Sequence, residues 1–134
     1  MVTRHEVKVR RIYEDPLDTD GTRILVDRLW PRGLAKERAH IDEWCKAIAP
    51  SPMLRKWYAH DPRLFEEFSR RYRAELEAPE PAAALGRLRT LADHGPLTLL
   101  TATTEPAISE AAVLCELLNE SRQTPIFGDD ASTK

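Results

Sequence analysis

The chain is predicted to fold as a small α/β layered domain, with a mostly parallel sheet of three to four strands flanked by helices. Three observations predict it. Short apolar runs at residues 7–13, 24–26 and 97–102 are separated by stretches with helical spacing. The runs around Ile24-Leu25-Val26 and Leu97 to Ala102 are continuous rather than alternating, the pattern of strands buried on both faces. The last run leads through a loop into a final helical pattern, a strand-loop-helix finish.

The first strand spans residues 7–13, where Val7, Val9, Ile12 and Tyr13 interleave with basic residues. Residues 14–22 hold Pro16, three aspartates and Gly21 and read as loop. The second strand, 24–26, ends in Asp27 and Arg28, and Pro31 and Gly33 force a turn. The first two strands are joined by so short a link that a hairpin competes with a parallel crossover. Residues 36–48 carry Ile41, Trp44, Cys45 and Ile48 at helical spacing, and Ala49-Pro50 ends that helix. Ser51-Pro52 and Asp61-Pro62 are N-caps followed by proline, framing a short helix over 53–59. Leu64, Phe65, Phe68, Tyr72 and Leu76 make one apolar face over 62–77. After the break at Pro79 and Pro81, Leu85, Leu88, Leu91 and Ala92 repeat it over 82–94, with Gly95 at the place of a left-handed C-cap. A third strand follows at 97–102. Thr103, Thr104, Glu105 and Pro106 start a last helix whose Ile108, Ala111, Ala112, Cys115 and Leu118 face inward. Residues 1–119 are expected to form one domain and 120–134 a polar, mobile tail.

At 134 residues the chain suits a single core, and 42% hydrophobic and 31% charged residues are the proportions of a soluble globular protein. The net charge of −2 argues against general adhesion to nucleic acid or membranes. It conceals a basic stretch: residues 23–63 hold nine Lys/Arg against five Asp/Glu. Local basicity on a slightly acidic chain suits a small anion better than a long polyanion. No apolar run approaches the roughly 18 residues of a membrane span, and the N-terminus lacks a signal peptide's apolar core. Cys45 and Cys115 make no disulfide framework, so a cytoplasmic protein with reduced thiols is expected.

All three tryptophans fall within that basic stretch, interleaved with Arg and Lys. Arg28 and Arg32 lie four apart around a rigid turn, where guanidiniums can grip phosphate or carboxylate bidentately; equally, Arg28 can brace the turn through Asp27 or Asp42. Arg23, Arg55 and Lys56 extend the ligand-binding set. Thr103 and Thr104 add hydroxyls and amides at a helix start, or serve as caps. His60 and Asp27 are the acid-base candidates, because imidazole changes charge near neutral pH. Asp61 is committed to capping, however, and amid so much Arg an orienting role is plainer for Asp27. Trp30 is the tryptophan placed to meet a ligand, while Trp44 and Trp57 sit at core-face positions. Cys115 reads as inert and Cys45, beside Lys46, as at most modestly activated. The histidines and cysteines show no metal-ligand spacing, and no phosphate loop or GxGxxG occurs, so neither metal nor cofactor is expected.

The segments Asp27-Arg28-Leu29-Trp30-Pro31-Arg32-Gly33, Trp44-Cys45-Lys46 with Ala49-Pro50-Ser51, and Leu54-Arg55-Lys56-Trp57-Tyr58-Ala59-His60-Asp61-Pro62 resemble the YeaO-like family of bacterial domains of unknown function. The resemblance runs over residues 7–118 and implies a small cytoplasmic α/β domain without an established activity. It also marks a departure. Relatives tend to carry Ala-Lys-Asp after the last strand, where this chain has Ala102-Thr103-Thr104-Glu105. If that lysine takes part in a family chemistry, this member lacks the step or runs it differently.

Two functions of different class follow. In one, an Arg/Trp-lined pocket binds a small phosphate- or carboxylate-bearing ligand, with or without slow chemistry. In the other, the Arg-Trp-Asp set is internal scaffolding of an interaction domain, and an exposed Trp30 would then suit a homodimer face. Arginines converging on an open cleft favour the first; arginines saturated by Asp or backbone carbonyls favour the second. Direct nucleic-acid binding, with a steep loss of affinity in salt as its mark, ranks below both.

Overall fold

The computed structural model describes residues 6–123. Strands β1 (Val7–Arg11), β2 (Thr22–Leu25), β3 (Glu43–Trp44) and β4 (Leu97–Thr101) form one sheet in the order β1-β4-β2-β3, and every pairing is parallel. The helices are α1 (Lys36–Ala39), α2 (Pro52–Tyr58), α3 (Phe65–Glu75), α4 (Pro79–His94) and α5 (Glu110–Gln123). The predicted α/β class holds.

There is no hairpin between the first two strands, because β4 lies between them. Val9 and Ile24 both stand opposite Leu99. The link at 12–21 holds only the 3₁₀ turn Asp18–Asp20 and delivers the chain to the far side of β4. Gly21 makes the landing possible. Its φ is 65°, and a Cβ there would lie 2.2 Å from the Pro96 carbonyl oxygen. Only glycine allows that approach, and it lets the Thr22 amide donate to the Pro96 carbonyl at 3.0 Å.

The alternation of strand side chains sorts the core into two layers. Ile24, Val26, Leu97 and Leu99 pack with Phe68, Tyr72, Leu88, Leu114 and Leu118 of the long helices. Leu25 and Leu100 point the other way, joining Ile12 and Ala39 under a cover of Trp30, Leu34, Ile41 and Trp44. Each fully buried Leu, Ile or Phe contributes roughly 1.5–3 kcal/mol by leaving water.

Several boundaries differ from the sequence expectation. The helix expected over 36–48 is α1, then β3, then a 3₁₀ turn, Lys46–Ile48. His40 takes a left-handed conformation, φ 50°, that ends α1. Asp42 then holds the chain along β2: its amide donates to the Arg23 carbonyl at 2.8 Å, and its carboxylate accepts from the Arg23 amide at 2.8 Å. Sheet pairing has overridden helical spacing. Pro79 begins α4 instead of breaking the chain, as proline can in a first turn. Gly95 is extended, φ 174°, and not left-handed. The last helix starts at Glu110, after a 3₁₀ turn Pro106–Ile108, rather than at Thr103. It runs beyond Asn119 to Gln123, and the rest of the expected tail, residues 124–134, lies outside the described residues. No helix among the described residues is long and apolar enough to cross a membrane.

Candidate functional site

Pairing of β2 with β4 continues one residue past the strand, the Val26 amide donating to the Leu100 carbonyl at 3.1 Å. Asp27 therefore emerges beside the end of β4, at the carboxyl edge where open parallel sheets place their ligands. The Thr101 hydroxyl donates to one of its carboxylate oxygens and the Ala102 amide to the other, both at 2.8 Å. The Trp44 indole N–H donates to its backbone carbonyl at 2.7 Å. Asp27 is thus fixed at both ends.

Facing it is Glu110, the first residue of α5, whose carboxyl is hydrogen-bonded to that of Asp27. Burial, and then Asp27 itself, push the Glu110 carboxyl well above the usual range. Its own amide and the charge of Arg55 pull the other way without reversing the shift. Sequence reasoning missed Glu110. An acidic residue in a helix's first turn reads as an ordinary complement to the helix dipole, and its partner lies far off in the chain.

Two adjoining cavities open over this pair, of about 270 and 260 Å³, sharing Arg55, His60 and Glu110. Tyr13, Asp27, Leu29, Trp30, Pro31, Arg32, Thr101, Ala102 and Thr103 complete the first. Pro52, Lys56, Tyr58 and Phe68 complete the second. Helix α2 brings Arg55 and Lys56 to the rim. It is capped by the Ser51 hydroxyl, which accepts from the Leu54 amide at 3.1 Å, while Ser51 is itself held by Glu75 at 2.8 and 2.6 Å. After α2, Ala59 and His60 adopt consecutive left-handed conformations, φ 47° and 57°. That costly geometry turns the chain and sets His60 at the cleft. Asp61 caps the next turn by accepting from the Arg63 amide at 3.0 Å, and is not paired with His60. Beneath, Tyr58 stacks on Phe68 with centroids 4.2 Å apart, and Phe68 on Tyr72 at 5.7 Å. The Tyr58 hydroxyl donates to the Ile108 carbonyl at 2.7 Å, and burial, aided by nearby acids, pushes it up to about 12.

The predicted site residues divide. Asp27, Trp30, Arg32, Arg55, His60 and Thr103 line one cavity, and Lys56 lines the adjoining one. Arg32, Arg55, Lys56 and His60 are exposed, and no ion pair engages either arginine among the described residues. Trp30 presents part of its ring to the cleft; its N–H donates to the Leu34 carbonyl at 2.6 Å and its edge meets Trp44 at 5.2 Å. Thr104 is exposed and borders neither cavity.

Arg23 and Arg28 are elsewhere. Arg23 is 5% exposed, bonded to Asp20 at 2.5 Å and to the His40 carbonyl at 2.8 Å, because its strand position turns it into the sheet's other layer of contacts. Arg28 donates to the Ala49 and Pro50 carbonyls at 3.2–3.4 Å and braces the turn. Trp57 is no core residue: it is 37% exposed under the Arg71 guanidinium, at 4.3 Å. Nor is Cys45 activated, since burial and then Glu43 push its thiol up. Among the described residues no three His, Cys, Asp or Glu side chains are arranged to hold a metal ion.

The chain matches, over residues 6–133, the family described as the inactive DUF488-N3 subclade. It is 48% identical over 119 residues to an uncharacterised protein of Mycobacterium tuberculosis, covering 89% of this chain and 98% of that one. To the uncharacterised protein YeaO of Escherichia coli it is 39% identical over 112 residues, covering 84% and 96%. No solved structure matches it.

Proposed function

The chain belongs to the inactive DUF488-N3 subclade, with YeaO among its relatives, and from that premise we propose that its carboxyl-edge cleft binds a small anionic ligand carrying a phosphate or carboxylate. One observation carries the reading. Arg32, on the turn after β2, and Arg55, on α2, reach a single cavity, both exposed and neither held in an ion pair among the described residues. Guanidiniums so placed offer planar, bidentate donors to an oxyanion, with His60 beside them and Lys56 at the adjoining rim. The hydroxyl of Thr103 and the ring of Trp30 add polar and apolar contacts for the remainder of the ligand.

Binding without turnover agrees with the word "inactive" in the family's description and with the engagement of Asp27, whose two oxygens both accept fixed hydrogen bonds. His60 is kept as the acid-base candidate should chemistry occur. The alternative, an interaction domain with an internal charge lattice, draws on Arg23 and Arg28, both saturated by fixed acceptors. Tryptophan fluorescence during titration with nucleotides and sugar phosphates separates the two, since Trp30 lines the cleft and Trp44 abuts it. A saturable change that disappears in folded Arg32→Ala and Arg55→Ala variants supports the pocket. A flat response across the panel favours the interaction domain, and the search then moves to protein partners.

A further inference from the structure

Two carboxyl groups in mutual hydrogen bond need a proton between them, because carboxylates only accept. Both oxygens of Asp27 already accept, from Thr101 and Ala102. With the proton on Glu110, whose carboxyl burial pushes up, its O–H donates to Asp27 and its other oxygen is left as an acceptor. Glu110 is also one of three residues that border both cavities. The guanidinium of Arg55, close enough to act on Glu110, lines the same two cavities. What the cleft floor then offers a ligand is the second Glu110 oxygen, an acceptor for a hydrogen-bond donor.

Resting on the anion-binding reading above, we propose that the Asp27–Glu110 pair is the specificity element of the cleft, accepting a hydrogen bond from a hydroxyl on the ligand. The substrate class is then a hydroxylated phosphate or carboxylate, such as a sugar or polyol phosphate, with its anion on Arg32 and Arg55 and its hydroxyl on Glu110. A simple alkyl phosphate gives that half-buried acceptor no hydrogen bond and binds more weakly.

The test is calorimetric titration at neutral pH with matched three-carbon probes, glycerol 3-phosphate and propyl phosphate, and with O-phosphoethanolamine as a cationic comparison. Wild type is expected to favour glycerol 3-phosphate over propyl phosphate by about tenfold or more, the value of one good hydrogen bond. Glu110→Gln retains that preference, because the amide N–H₂ replaces the O–H towards Asp27 and its carbonyl still accepts. Glu110→Ala binds both probes alike. Should Glu110→Ala fail to fold, the glutamine variant and the wild-type ratio still decide. Equal binding of the two phosphates by wild type overturns this inference and leaves the anion site standing. Tightest binding of O-phosphoethanolamine overturns it in favour of an ionised pair that holds a cation, as does loss of preference in Glu110→Gln. Failure of every probe to bind removes the anion site as well.

Discussion

Two charged clusters flank β2, and they are built from the same residue types to opposite ends. At the strand's start, Asp20 is fully buried and Arg23 nearly so, and their charges are closed on one another. Arg23 bonds Asp20 at 2.5 Å and the His40 carbonyl at 2.8 Å, Arg10 bonds Asp20 at 2.8 Å, and the Leu17 amide adds a contact at 3.0 Å. After the strand, Asp27 is tied to β4 and hydrogen-bonded to Glu110, while Arg32, Arg55 and His60 stand open to solvent. What separates scaffold from candidate site is the pairing and burial of the arginines, Arg10 and Arg23 closed on Asp20 against Arg32 and Arg55 in the open, not the kind of side chain. The clusters also carry opposite proton linkage. Burial pushes the Asp20 carboxyl up, but the Leu17 amide with Arg23 and Arg10 outweighs it and holds it below its ordinary range. Burial and Asp27 raise that of Glu110.

Breaking the closed cluster is expected to give the largest effect. Arg23→Ala removes the most deeply buried cation of Asp20, leaving Arg10 and Lys8, and should lower stability by up to about 3–5 kcal/mol in urea unfolding. A loss below about 1 kcal/mol would mean that Arg23 is not part of a closed lattice.

The pH dependence of stability sharpens the contrast. Asp20 titrates lower in the folded chain than unfolded, so its contribution is present at neutral pH and is lost as pH falls through the folded value, below about 4. Glu110 does the reverse. Above its ordinary value near 4.5 the folded chain holds a proton that the unfolded chain has released, so stability declines as pH rises towards the raised value. Thermal unfolding of Glu110→Gln should show less decline between pH 5 and 8 than wild type. Parallel curves for the two proteins would remove the carboxyl pair from the account.

A smaller effect is expected at the rim. Ala59 takes a left-handed conformation, φ 47°, without glycine's freedom. Ala59→Gly should therefore gain up to about 1 kcal/mol in thermal stability; a loss would show that the methyl packs usefully. Smallest is Arg32→Ala, within about 0.5 kcal/mol of wild type as for an exposed residue away from structural contacts. A large loss there would place Arg32 in the scaffold, alongside Arg23.

What the sequence revealed followed what is local. Ile24 to Val26 and Leu97 to Ala102 read as buried strands because every residue had to be compatible with two covered faces. Ser51 and Asp61 read as caps because capping involves neighbours in the chain. Residues 36–48 misled because Ile41, Trp44, Cys45 and Ile48 keep helical spacing, while the decision rested with the pairing of Glu43 and Trp44 to β2. The site shows the same division. Asp27, Arg32, Arg55 and His60 stood out within a Trp-Arg motif, but nothing local told that Arg23 would turn inward to Asp20. Glu110 was hidden because its identity depends on Asp27, a contact made only when α5 packs against the sheet. Strand order was illegible for the same reason, since the link at 12–21 has to skip over a strand that comes much later in the chain.

The central claim is that one charged cluster is a ligand cleft and the other is scaffold, and amide chemical-shift mapping during titration with glycerol 3-phosphate tests it most directly. The account predicts saturable shifts at Arg32, Arg55, His60, Ala102, Thr103 and Glu110, with Asp20, Arg23, Ala39 and His40 unmoved. Shifts centred on the second group, or none at all in either, would contradict it.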